Sequence, residues 1–124
     1  MRFFLIFLLV LSSTLSAKRN SPWLGRWHSE GLANSVIEFY YNDSGQLVSK
    51  CISSNSPRNI GKVMIDIFEY DQNRKEFSGI LMVWSWYIAI DFVAKFDSQD
   101  QVTLTAKKYF LSKDFMLKRL KGAK

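Results

Sequence analysis

The chain has 124 residues and a formal charge of +6, with aromatic residues making up 15% of it. One cysteine and one histidine exclude an internal disulfide framework and a histidine-based metal site. The length excludes a multidomain enzyme, and an apolar content of 48% excludes a disordered tail. Arg2 precedes the apolar run Phe3 to Leu11, which passes into Ser12-Ser13-Thr14-Leu15-Ser16-Ala17. A basic start, a short apolar core and small residues before Lys18-Arg19 read as a signal peptide cleaved near Ala17. Residues 18–124 are then one domain, secreted or periplasmic. The run is too short to cross a bilayer, so no membrane-spanning segment is expected after processing.

No helical period persists beyond this leader. Alternating, β-branched and aromatic runs recur instead, separated by turn residues. Eight strands are expected: Leu24–Glu30, Asn34–Asn42, Gly45–Ser53, Gly61–Tyr70, Lys75–Trp84, Trp86–Phe96, Gln101–Tyr109 and Lys113–Leu120. Asn42-Asp43-Ser44-Gly45, Asp71-Gln72-Asn73 and Asp97-Ser98-Gln99-Asp100 tolerate a left-handed backbone and mark the tight turns. Asn42-Asp43-Ser44 also fits the glycosylation acceptor pattern, which matters only in a eukaryotic host. The longest connection, Ser53 to Asn59, is polar with a proline and is expected to be mobile.

Eight short strands joined mainly by tight turns hide their edges best as an antiparallel up-and-down barrel. Period two places Trp23, Gly25 and Trp27 on one face of the first strand, with Arg26, His28 and Glu30 on the other. In the last strand Phe115, Leu117 and Arg119 share a face. Gly25-Arg26-Trp27 together with Arg119 resembles the signature of lipocalin-like (calycin-type) barrels. Pro57/Asn59, Gly61-Lys62 and Lys118-Arg119 extend the similarity to a bacterial family of small exported lipocalin-like proteins of unknown function. The chain differs from that family in lacking an Asn-Pro-Asp loop and in having Leu117 where an aromatic residue stands. The resemblance implies that Trp27 closes one barrel end and that Arg119 packs over its indole, a cation–π contact.

No catalytic chemistry is expected. His28 falls on the face opposite Trp27, and there is neither a nucleophile elbow nor a glycine-rich phosphate loop. The residual enzymatic option is a carboxylate pair such as Asp66 and Asp91. No cofactor is implied. Cys51 reads first as a small apolar filler, with an intermolecular disulfide or a reactive thiol as the sharper alternatives.

Two features point to binding. From Gly79 to Ile90 the sequence is almost continuously apolar, so both faces of this hairpin need cover. A small apolar or amphipathic ligand would be lined by Phe77, Leu81, Trp84, Trp86, Ile88, Ile90 and Phe92. Charge is the second feature. Residues 18–106 carry nine basic and ten acidic side chains, whereas 107–124 carry seven basic against Asp114 alone. Lys107, Lys108, Lys113, Lys118 and Lys121 are either a solvated sheet edge or a surface for an anionic partner. In the second case a solidly packed barrel would bind a protein or the cell envelope through that hairpin and the Ser53–Asn59 loop. Nucleic acid is not expected, because the aromatics do not interleave with these lysines.

Overall fold

Period-two alternation of apolar and polar residues produces eight antiparallel strands in a computed structural model that describes residues 21–121. The leader expected over 1–17 lies outside the described residues. The strands are β1 (Gly25–Ser29), β2 (Ser35–Tyr41), β3 (Leu47–Ser53), β4 (Ile65–Asp71), β5 (Glu76–Val83), β6 (Ile88–Ser98), β7 (Gln101–Lys108) and β8 (Leu111–Arg119). A single 3₁₀ turn, Pro57–Asn59, interrupts the β3–β4 connection. Among the described residues no helix is long and apolar enough to cross a membrane.

The sheet order is β3-β2-β1-β8-β7-β6-β5-β4. Each strand pairs with its sequence neighbour and β8 returns to β1, so the sheet curls into a nearly closed barrel with one seam between β3 and β4. The Ser49 hydroxyl bridges that seam by donating to the Ile65 carbonyl at 2.6 Å. Just beyond it, Cys51 exchanges backbone bonds with the incoming loop, donating to Lys62 at 2.9 Å and accepting from Gly61 at 2.8 Å. The sheet edges are therefore β3 and β4. The lysine-rich β8 is not an edge, because barrel closure pairs it with β7 on one side and with Trp27 and His28 of β1 on the other.

Three strands start two or more residues later than the alternation suggests, β3 at Leu47 rather than Gly45 among them. Gly61 turns the chain at φ 82, and the following residues cross the seam before β4 begins at Ile65. Trp84 to Tyr87 form a turn, so β6 begins at Ile88 rather than Trp86. Asn42 makes its turn directly, its side-chain oxygen accepting the amides of Ser44 and Gln46. Hydrogen bonds connect the Ser53–Asn59 loop to the β1–β2 loop. Asn55 donates to the Ala33 carbonyl at 2.8 Å, and Ser54 receives bonds from Ser35 and from the buried Asn59.

One end of the barrel is plugged. Two indoles fill it, since Trp23 and Trp27 are both fully buried. Trp23 packs against Phe39, Phe77 and Phe96 with ring centroids 5.0–5.4 Å apart, and the Trp27 N–H donates to the Trp23 carbonyl at 2.8 Å. Arg119 lies across this plug, its guanidinium 4.2 Å from the centroid of Trp27. It also donates to the carbonyls of Leu24, Pro22 and Gln99 and pairs with Asp100 at 3.2 Å. One side chain thus joins the entering chain, the β6–β7 turn and the last strand. Gly25 is glycine for two reasons: its φ is 111, and a Cβ there would come 3.1 Å from that guanidinium.

A second glycine is fixed by contact alone. Gly79 lies buried on the inward face of β5 between Phe77 and Leu81, beside a register shift in β4. A Cβ at this position would overlap the Asp66 carbonyl. Gly79→Ala should therefore lower stability by about 1–3 kcal/mol or more. Arg119→Ala should cost about 2–4 kcal/mol, the sum expected for a desolvated cation–π contact and charged hydrogen bonds. Arg119→Lys should recover only part of it, because an ammonium cannot reach three carbonyls and an indole face at once. Urea unfolding midpoints followed by tryptophan emission check both.

Candidate functional site

The end opposite the plug is open. Strand alternation puts the β1–β2 loop, the β3–β4 loop and the β5–β6 and β7–β8 hairpins together there. Between them lies a cavity of about 390 Å³. Its size falls within the span of small-molecule sites, about 300–1,000 Å³. Leu32, Met64, Leu81, Ile90 and Phe115 give it apolar walls, and Ser56, Asn59 and Ser85 add polar groups. The Ser56 and Ser85 hydroxyls sit 3.1 Å apart and link two of the loops.

Lys113 is the single charged side chain lining this space. Its position follows from the phase of β8. Phe115, Leu117 and Arg119 point inward, so the residue two before Phe115 does too. The Lys113 ammonium stands 5.3 Å from the centroid of the Phe115 ring. Lys108 shares the inward phase of Val102, Leu104 and Ala106 but falls past the barrel rim, where it is exposed. The cavity therefore combines an apolar interior with a cation at its wall.

The seven residues named from the apolar hairpin separate. Leu81, Trp86 and Ile90 line the cavity. Phe77 belongs to the plugged end and Phe92 to the buried core, both below the cavity. Ile88 is half-buried at the start of β6. Trp84 turns out over the β3–β4 loop, where its N–H donates to the Val63 carbonyl at 2.8 Å and Lys62 sits 4.9 Å from its ring. The five lysines separate as well. Lys107, Lys108 and Lys113 are at the open end. Lys118 lies beside His28 on the outer face, and Lys121 pairs with Asp100 at 3.0 Å near the plug. Leu32, Met64, Lys113 and Phe115 were not anticipated as cavity residues. The phase of the last strand carried the signal for the latter two.

Asp66 and Asp91 flank Ile80 on the outer face, one strand to either side, and both are exposed. Among the described residues no group of three or more histidine, cysteine or acidic side chains converges. Cys51 points into the barrel and is buried, its thiol 3.2 Å from the Ser53 carbonyl. Burial pushes the thiol above its ordinary pKa, outweighing the hydrogen bonds that favour the thiolate. Iodoacetamide at pH 8 should therefore leave the folded protein unmodified over a time that labels a free thiol fully, and should label it completely in urea. Comparison with family models, with curated proteins and with solved structures gives no match to this chain.

Proposed function

We propose that this is an exported, non-catalytic binding protein of lipocalin-like type that holds one anionic amphiphile at the open end of its barrel. The observation that supports this most directly is Lys113, an exposed lysine at the mouth of a mostly apolar cavity and the one charge among its lining residues. Apolar burial against Leu81, Ile90 and Phe115 supplies the driving force, at about 25 cal/mol per Å² removed from water. The ammonium then selects a carboxylate, sulfate or phosphate head over a neutral one, because a charge-assisted hydrogen bond is about twice as strong. Export is read from the leader, and the binding role from the cavity. The packed-barrel alternative draws less support, since the open end holds a cavity and since Lys118 and Lys121 lie away from Lys107, Lys108 and Lys113.

Trp86 at the cavity wall provides the signal. Titration with dodecanoate or dodecyl sulfate should shift its emission. Lys113→Glu should weaken both ligands about tenfold or more, the effect of losing a charged hydrogen bond, with dodecanol little affected. Leu81→Trp, which fills the cavity, should abolish the response to all three. An emission indifferent to the whole series, with no bound molecule found by native mass spectrometry, refutes the proposal.

A further inference from the structure

The rim of the open end carries a second feature, which shares only Trp86 and Lys113 with the cavity lining. Its two neighbouring hairpin tips are aromatic where tight turns ordinarily hold Asn, Asp or Gly. Tyr109 and Phe110 form the two-residue turn between β7 and β8 and are 89% and 94% exposed. Trp86 and Tyr87 occupy the β5–β6 turn at 75% and 69%. Their side chains cover little of the protein's own apolar surface.

The backbone at both tips is strained to present them. Tyr87 and Tyr109 have φ values of 53 and 58, the left-handed region that bulky residues rarely enter. Glycine at either position would relieve that strain and also remove an exposed ring. Ala33, Asn34 and Lys75 share that conformation, but only at these two tips is it combined with an exposed ring, a combination that folding alone does not favour.

Charge at the rim is one-sided. Residues 30–34, 54–64, 84–87 and 107–113 hold five basic side chains, Arg58, Lys62, Lys107, Lys108 and Lys113, against Glu30 and against Asp91, which stands opposite Lys107 on β6. The four ion pairs among the described residues all lie elsewhere on the barrel, so none of these five cations is neutralised by a carboxylate within 4 Å. The Lys108 ammonium stands 5.5 Å from the Tyr109 ring, placing cation and aromatic side by side at the tip.

Exposed Trp, Tyr and Phe interspersed with lysines match the boundary layer of a bilayer. There the rings enter the headgroup region and the ammonium groups meet anionic phosphates. A second copy of the chain is a poor occupant, because two rims of the same sign would face each other. We infer that the open end docks on an anionic lipid surface, with the Tyr109-Phe110 and Trp86-Tyr87 tips inserted and Lys107 and Lys108 against the headgroups. Docking in this way brings the mouth of the cavity to the membrane. It does not depend on the cavity being occupied.

Sedimentation with phosphatidylcholine vesicles, with and without phosphatidylglycerol, tests the inference. The protein should bind the mixed vesicles, bind pure phosphatidylcholine far less, and be released as salt rises. Nitroxide-labelled lipid should quench emission, and Trp86→Phe should remove most of that quenching. Tyr109→Gly with Phe110→Ser relaxes the turn yet should weaken vesicle binding about tenfold or more, as expected for withdrawing exposed rings from an apolar phase. Lys107→Glu with Lys108→Glu should weaken it comparably by charge alone. Lys118→Glu with Lys121→Glu, away from the rim, should leave it unchanged, and so should the cavity-filled Leu81→Trp. Three results overturn the inference: no binding to anionic vesicles, binding lost only with the Lys118 and Lys121 changes, or a dimer in solution that the tip substitutions dissolve.

Discussion

The barrel depends on how Arg119 holds the two buried tryptophans. A small domain without a disulfide must close its sheet by side-chain contacts alone, and here the first and last strands meet through few backbone pairs. The register between β1 and β8 extends only over Trp27 and His28. What holds them further is the guanidinium, which bonds three carbonyls and stands 4.2 Å from the centroid of an indole. A lysine could supply the charge but not the planar fork. The plug concentrates the large aromatic side chains at one end, and that distribution leaves the other end unfilled.

The asymmetry can be traced along the inward faces. Near the plug these carry Trp, Phe and Leu. At mid-height small inward residues, Ser49, Cys51, Gly79, Ala94 and Ala106, stand across the strands from Ile37, Phe92 and Leu104. Small inward residues let the strands approach without filling the space above them. The cavity is therefore a consequence of where volume is placed along the strands. It lies above the small residues and below the loops, with Ser54 and Asn59 tying those loops down around it.

Much of this could be read from the residues themselves. The eight strands, their order along the chain and the inward phase of Trp27 and Arg119 all follow from alternation and turn chemistry. Closure through β8 did not follow from local pattern, so its lysines looked like those of an edge. The cavity was only partly legible. The apolar run from Gly79 to Ile90 located the right hairpin but not which of its residues faced inward, because continuous apolarity erases the alternation that assigns faces. Trp84 illustrates the difficulty. Its indole reaches the β3–β4 loop, a contact between segments 21 residues apart that no local pattern announces. Lys113 was legible in principle, since its phase was set by Phe115, but grouping it by charge with its neighbours hid its separate position.

The two ends of the molecule also differ in how they treat charge. At the plug, Arg119 and Lys121 share Asp100, so cations there are balanced and serve the fold. At the open end the cations form no ion pair within 4 Å and stand among exposed rings on left-handed turns. Stability alone selects against both features, since unbalanced like charges repel and bulky left-handed residues cost backbone energy. A left-handed residue, Lys75, also stands in the β4–β5 turn near the plug, so what sets the open end apart is the association of exposed rings with cations that form no ion pair. If the rim docks as inferred, it is the part of the molecule shaped by its surroundings, and the plug is the part shaped by folding.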